Sequence, residues 1–272
     1  VSLSAAAGTP RVATVIPARN EAARVAATVR AVAKIPAVDL IIVVNDGSRD
    51  ATADLARDAG AVVVSHQRSR GKAAALETGV ETAAAIDTRE GRAAPRHLLF
   101  LDADLEESAA EAGDLIAPVL AGSADMSIGL LPAQTGGGGG GHGFVVRLAR
   151  DGITRATGWL ATQPLSGQRC LTREAYQLAR PLAPGFGVEV GLTIDLIRRG
   201  LRVVEVPVAF QHRVTGSGWR GQVHRGRQWL HVAAALARRG VLPSARAVLG
   251  RRTSSDSSAS RDSSASRDRS AR

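Results

Sequence analysis

A chain of 272 residues with 44% hydrophobic content can bury one large core or two small ones, and its single cysteine, Cys170, excludes an intrachain disulfide and a cysteine-built metal cluster. Aromatic residues make up only 3%, which removes most of the stacking platforms that single-stranded nucleic acid requires. The net charge of +10 sits at one end: residues 213–272 hold 13 arginines against three aspartates, so residues 1–212 are neutral and the body of the chain is not a polyanion binder.

The opening stretch VSLSAAAGTPRVATVIP lacks the basic start and apolar centre of a signal peptide, and no run reaches bilayer-crossing length. The expected compartment is therefore the cytoplasm, with residues 1–10 as an N-terminal arm. From there short apolar runs alternate with helical patterns. VATVI (12–16), LIIVV (40–44), AVVV (61–64), LLFL (98–101) and ADMSI (124–128) read as strands, nearly unbroken in hydrophobicity as strands buried on both faces are. NEAARVAATVRAVAK, SRDATADLARDAG and GKAAALETGVETAAA read as helices whose starts carry Asn, Ser or Asp for capping. This alternation predicts an α/β fold, a mostly parallel central sheet with helices on both faces and ligands at the carboxyl ends of the strands. The polar clusters PARNE, NDGSRD and DADLEE each follow a strand and should meet at that edge.

Past residue 130 the pattern loosens. TGGGGGGHG (135–143) reads as a mobile loop, either a spacer or a lid. GVEVGLTIDLIRRG (187–200) has helical spacing and LRVVEVPV (201–208) reads as a last strand. Residues 251–272 repeat SSASRD, hold no aliphatic side chain larger than alanine, and read as a disordered basic tail.

Three segments carry chemistry. Asp102 and Asp104, at i and i+2 where an apolar strand gives out, would point to one side of an extended chain and offer hard oxygens to Mg²⁺ or Mn²⁺ on a phosphate; the structural alternative is a cap on a helix beginning near Glu106. In NDGSRDAT, Asp46 and Gly47 form a turn, Ser48 or Asp50 can cap, and Asp46 could accept hydrogen bonds from a base edge. RGKAAALETG places Arg70 and Lys72 at a helix start suited to a phosphate or base, although P-loop spacing is absent.

In order and spacing, VIPARNEA, NDGSRDAT, RGKAAALETG and LLFLDADL resemble the nucleotide-sugar-binding half of a glycosyltransferase of the family 2 type with the Rossmann-like GT-A fold, over residues 11–130. The resemblance implies transfer of a sugar from a nucleoside diphosphate sugar, a UDP-sugar favoured, to an acceptor oxygen, with Mg²⁺ or Mn²⁺ as cofactor. It implies that Pro17, Ala18, Arg19 and Glu21 line the nucleoside pocket, and that Asp46 meets the base with Ser48 and Arg70 beside it. Lys72 then lies near the base or phosphates, Asp104 is the direct metal ligand, and Asp102 is closer to the ribose or sugar with Ala103 between them. The second half, 131–250, is similar to the glucosyl-3-phosphoglycerate synthase group through QPLSGQRCLTREA, PGFGVEVGLTIDLIRRG and AFQHR. That similarity makes 131–250 the acceptor-binding half, His212 a third metal ligand and Glu189 a group that orients an acceptor hydroxyl or acts as base. Gln168 departs from the pattern, standing where that group carries an acid, so the acceptor, 3-phosphoglycerate or another, stays open.

Other readings compete. A polyprenyl-phosphate sugar transferase shares the first half, and the acid-free, arginine-rich segment 213–250, with Trp219, Trp229 and the run VAAALA, is compatible with contact to an anionic bilayer or simply with packing on the body. A non-catalytic nucleotide-sugar binder would keep the same residues. Nucleic acid is not an expected partner, and a homodimer is left open.

Overall fold

The computed structural model describes residues 11–132, 142–210 and 219–241. The N-terminal arm, most of the glycine-rich loop, His212 and the Ser/Arg tail lie outside the described residues. Seven strands, β1 (Val12–Ala18), β2 (Val38–Asp46), β3 (Val62–His66), β4 (His97–Phe100), β5 (Met126–Leu130), β6 (Arg169–Leu171) and β7 (Val203–Pro207), form one sheet in the order β3-β2-β1-β4-β6-β5-β7. All pairings are parallel except those of β6, which runs antiparallel to both β4 and β5.

The apolar strands predict burial on both faces, and β1 shows it residue by residue. Val12 and Ile16 pack with Val25 and Val29 of α1 (Val25–Val32) and, through the same core, with Ala56 of α2 (Thr52–Asp58) and Leu115 and Val119 of α4 (Ala112–Leu120). Ala13 and Val15 face the other way, toward Ala75, Leu76 and Val80 of α3 (Lys72–Arg89), Ala175 and Tyr176 of α6 (Arg173–Leu178) and Leu192 of α7 (Val188–Arg198). Gly79 lets α3 sit close: a Cβ there would lie 2.3 Å from a methyl of Val15. A third cluster joins α5 (His142–Thr157), α7 and α8 (Trp219–Ala237). Within α8, Val232, Ala235 and Leu236 are buried, so the apolar run VAAALA is spent on the body. No described helix is long and apolar enough to cross a membrane.

Several elements depart from the sequence expectation. β6 lies in a stretch to which the sequence assigned no element, because three residues between two turns carry no period; it is held by partners on both sides. α5 begins at His142, within the stretch read as glycine-rich loop. The fifth strand is shifted two residues toward the C-terminus, to 126–130. The expected capping is only partial: Asp50 Oδ1 accepts from Thr52 N at 3.2 Å at the start of α2, and the residue before α1 makes no side-chain cap. The polar residues at these starts also tie two loops together: Ser48 Oγ accepts from Asn20 N at 2.9 Å, Thr52 Oγ1 from Glu21 N at 2.8 Å, and Asp50 from Ala22 N at 3.2 Å. Asn20 pays for this join with a left-handed φ of 56°.

Candidate active site

After β3 the chain crosses to the far side of β1 and enters β4, so neighbouring connections leave the sheet in opposite directions between β1 and β4. A crevice at the carboxyl ends follows from that topology. The loops after β1, β2 and β4 open onto it.

Asp46 ends β2 directly opposite His66 at the end of β3. Its carboxylate accepts from His66 Nδ1 at 2.7 Å, Ser69 Oγ at 2.6 Å, Arg70 N at 2.7 Å and Gly71 N at 2.9 Å, while His66 Nε2 lies 3.0 Å from Thr78 Oγ1. Burial would raise its pKa, but these four bonds outweigh burial and hold it at about 2. Four protein donors occupy both carboxylate oxygens, so Asp46 shapes the loop 69–71 that leads into α3, and its expected contact with a base stays a proposal. Arg70 contributes its backbone N–H to this join, and its side chain is exposed.

Lys72, the first residue of α3, reaches across the crevice. Its ammonium lies 2.9 Å from Asp102 Oδ1 and 3.1 Å from Glu189 Oε1, which α7 presents from its first turn. Burial favours the neutral amine, but Asp102 and Glu189 together outweigh it, and the pKa stands above the ordinary lysine range. Lys72 is thus a fixed positive charge, not a proton donor at neutral pH. Glu189 itself is buried, with 6% of its side chain exposed.

Asp102 has a second partner. Gln168 Nε2 donates to Asp102 Oδ2 at 2.8 Å while Gln168 Oε1 accepts from Asp102 N at 3.1 Å. Gly167 makes room for the cluster, since a Cβ there would lie 2.4 Å from Lys72 Nζ and 3.3 Å from both carboxylate oxygens. Next in sequence, Arg169 is fully buried; its Nε donates to Ser166 O at 2.9 Å and its guanidinium to Thr193 Oγ1 at 3.0 Å, which ties the loop before β6 to α7. Burial lowers its pKa to about 10, with Glu189 and Glu205 opposing.

The two aspartates do not sit on an extended chain as the i, i+2 spacing anticipates, because β4 ends at Phe100 and residues 103–104 form a turn. Asp104 therefore faces the β1 loop, within electrostatic range of Glu21 and Arg24. Glu21 is raised by burial, with Arg24, 2.7 Å away, opposing and the charges of Asp104 and Asp50 adding. Thr28 of α1 pins the turn: its hydroxyl donates to Ala103 O at 2.8 Å and accepts from Glu106 N at 2.9 Å. Of the residues expected to line a nucleoside pocket, Ala18 is buried, Pro17 and Glu21 half-buried and Arg19 exposed, all at or just past the carboxyl end of β1. No three His, Cys, Asp or Glu groups converge on one point among the described residues. Two carboxylates, with no sulfur and no described imidazole near them, fit a hard divalent cation that takes its remaining oxygens from a diphosphate.

Beside Asp102 opens a cleft of about 320 Å³, walled by Leu131, Val146, Pro164, Leu165 and Gln168. Sequence reasoning missed Thr28, His66, Gly167 and Arg169. Only Gly167 carried a signal, as the glycine of PLSGQ.

A model of the family described as glycosyl transferase family 2 matches residues 14–170. The chain is 33% identical over 184 residues to glycosyltransferase AglJ of Haloferax volcanii, a match covering 65% of this chain and 55% of that protein. It is 29% identical over 214 residues to glucosyl-3-phosphoglycerate synthase of Mycolicibacterium paratuberculosis, covering 72% of this chain and 63% of the relative. The crystal structure of the Mycobacterium tuberculosis glucosyl-3-phosphoglycerate synthase with Mn²⁺, UDP and phosphoglyceric acid superposes with a TM-score of 0.68 at 27% identity, over 87% of this chain and 80% of that one. The sheet order, the segments that meet at its carboxyl edge and the family match over residues 14–170 agree: the chain belongs to glycosyl transferase family 2 and has the GT-A fold.

Proposed function

We propose that the protein transfers a sugar from a nucleoside diphosphate sugar, UDP-linked in the first instance, to an acceptor oxygen, with Mg²⁺ or Mn²⁺ as cofactor. One observation carries the reading: the carboxylates of Asp102 and Glu189, far apart in the chain, each lie within 3.1 Å of the Lys72 ammonium at the carboxyl edge of a family 2 sheet. One relative, the Mycobacterium tuberculosis synthase, crystallised both with Mn²⁺ and UDP and with Mg²⁺ and UDP, supports the donor and the cation.

In this reading Asp102 and Asp104 hold the cation, which supplies Lewis-acid stabilisation to the departing diphosphate. Lys72, charged at every working pH, adds a second positive group where negative charge develops. Glu189 serves first as the counter-charge that fixes Lys72; a role as base would require the ammonium to leave it. His212, outside the described residues, is kept as a proposed third ligand. The acceptor enters the cleft beside Asp102. Phosphoglyceric acid in the related synthase favours a small phosphorylated acceptor. The apolar wall of Leu131, Val146, Pro164 and Leu165 favours a second reading, a polyprenyl phosphate.

Calorimetric titration with UDP and GDP, each with and without Mn²⁺, tests the donor; labelled sugar transfer to 3-phosphoglycerate and to polyprenyl phosphate then tests the acceptor. UDP binding that depends on Mn²⁺ is the expected result. Binding of neither nucleotide would remove the transferase reading.

A further inference from the structure

Gln168 is 1% exposed, and both polar ends of its amide turn to the same residue. Its own backbone is already secured, its carbonyl accepting from Gly129 N at 2.9 Å. An apolar side chain of the same length would fill this place at lower desolvation cost. What the amide adds is orientation. An acceptor on the Asp102 N–H and a donor on Asp102 Oδ2 fix both the backbone and the carboxylate plane, while Lys72 occupies Oδ1. Only a group with one donor and one acceptor at that spacing does both at once without adding charge; a carboxylate would set two negative groups within hydrogen-bond distance.

We propose that Gln168 is a positioning residue that holds Asp102 in the orientation used to take up the cation with the donor diphosphate. The inference rests on the donor reading above and assigns a residue that acts through Asp102 without touching the donor. Groups that orient a ligating carboxylate typically govern metal affinity by about 10–100-fold.

The test is calorimetric titration of UDP into wild type and Gln168→Met, with Mn²⁺ and without it, alongside thermal melts. The methionine keeps the length and removes both hydrogen bonds. Wild type should bind UDP more tightly with Mn²⁺, and Gln168→Met should lose about 10-fold or more of that gain while its metal-free UDP affinity is unchanged. A purely structural role would instead weaken metal-free and metal-dependent binding together, and that result would overturn the proposal. If Gln168→Met does not fold, Gln168→Asn, which keeps the amide but is too short to make the paired contact, should show the same selective loss. A wild type that gains nothing from Mn²⁺ removes the donor reading and this role with it. A wild type that gains, beside a variant that gains equally, removes the positioning role alone.

Discussion

Lys72 occupies a space that exists only because residue 167 is glycine. Gly167 does not have a positive φ, so an alanine suits its backbone, and the atom its Cβ would strike is the far end of a flexible chain. Gly167→Ala should therefore cost less than about 1 kcal/mol in stability, a shift of roughly 2–4 °C in Tm. The displaced ammonium would leave Asp102, and a misplacement of about 1 Å in such a group costs up to ~10²-fold in rate. Turnover falling by about 10-fold or more with a melt lowered by no more than about 4 °C is the expected outcome; equal turnover would show that Lys72 does not act from this position. Asp46, from the donor motif, also has an effect on stability that can be measured. Its folded pKa, about 2, lies below that of an unfolded aspartate, so its contribution is present above about pH 4 and lost as pH falls toward 2. Asp46→Asn should flatten that acid limb in melts between pH 5 and 2.5, by on the order of 1 kcal/mol after solvent screening. An unchanged slope would mean that the four hydrogen bonds do not persist in solution.

Among the elements, α1 governs the site from behind. Its Thr28 is fully buried and makes two hydrogen bonds to the Asp102–Glu106 turn, where Glu106 adopts a left-handed φ of 51° unfavourable to a residue with a Cβ. Thr28→Val keeps the shape and leaves Glu106 N without its partner, at a cost of about 1–3 kcal/mol. Denaturant unfolding should report that loss, and Mn²⁺-dependent UDP binding should weaken with it because Asp104 rides on the turn. Full stability with full affinity would sink the assignment. β6 acts from the other side: three residues long, it anchors Gln168 and Arg169 between β4 and β5 and so fixes the loop that walls the cleft. The polar starts of α1 and α2, legible as caps, join the PARNE and NDGSRD loops to each other, and that use cannot be read from either segment alone.

Across the whole molecule, the apolar runs and helical periods determined the layered α/β sheet by themselves, because strands buried on both faces must be apolar throughout and the helices that cover them must be amphipathic. The position of the site at the carboxyl edge was equally legible, since PARNE, NDGSRD and DADLEE each follow a strand in a parallel order. Folding decided what the side chains do there. Lys72, Asp102 and Glu189 are separated by 30 residues or more, and no local period records that an ammonium will lie between two carboxylates. The donors that close on Asp46, from His66, Ser69 and two backbone N–H groups, come from another strand and the loop after it, and Gln168 stood out only as a departure from a pattern until its amide met Asp102. Local sequence sets which groups are present and which face of an element they share. Their partners, their charge states and the room left for a ligand are set by contacts between distant segments, which exist only once the sheet has brought β4, β6, α3 and α7 together.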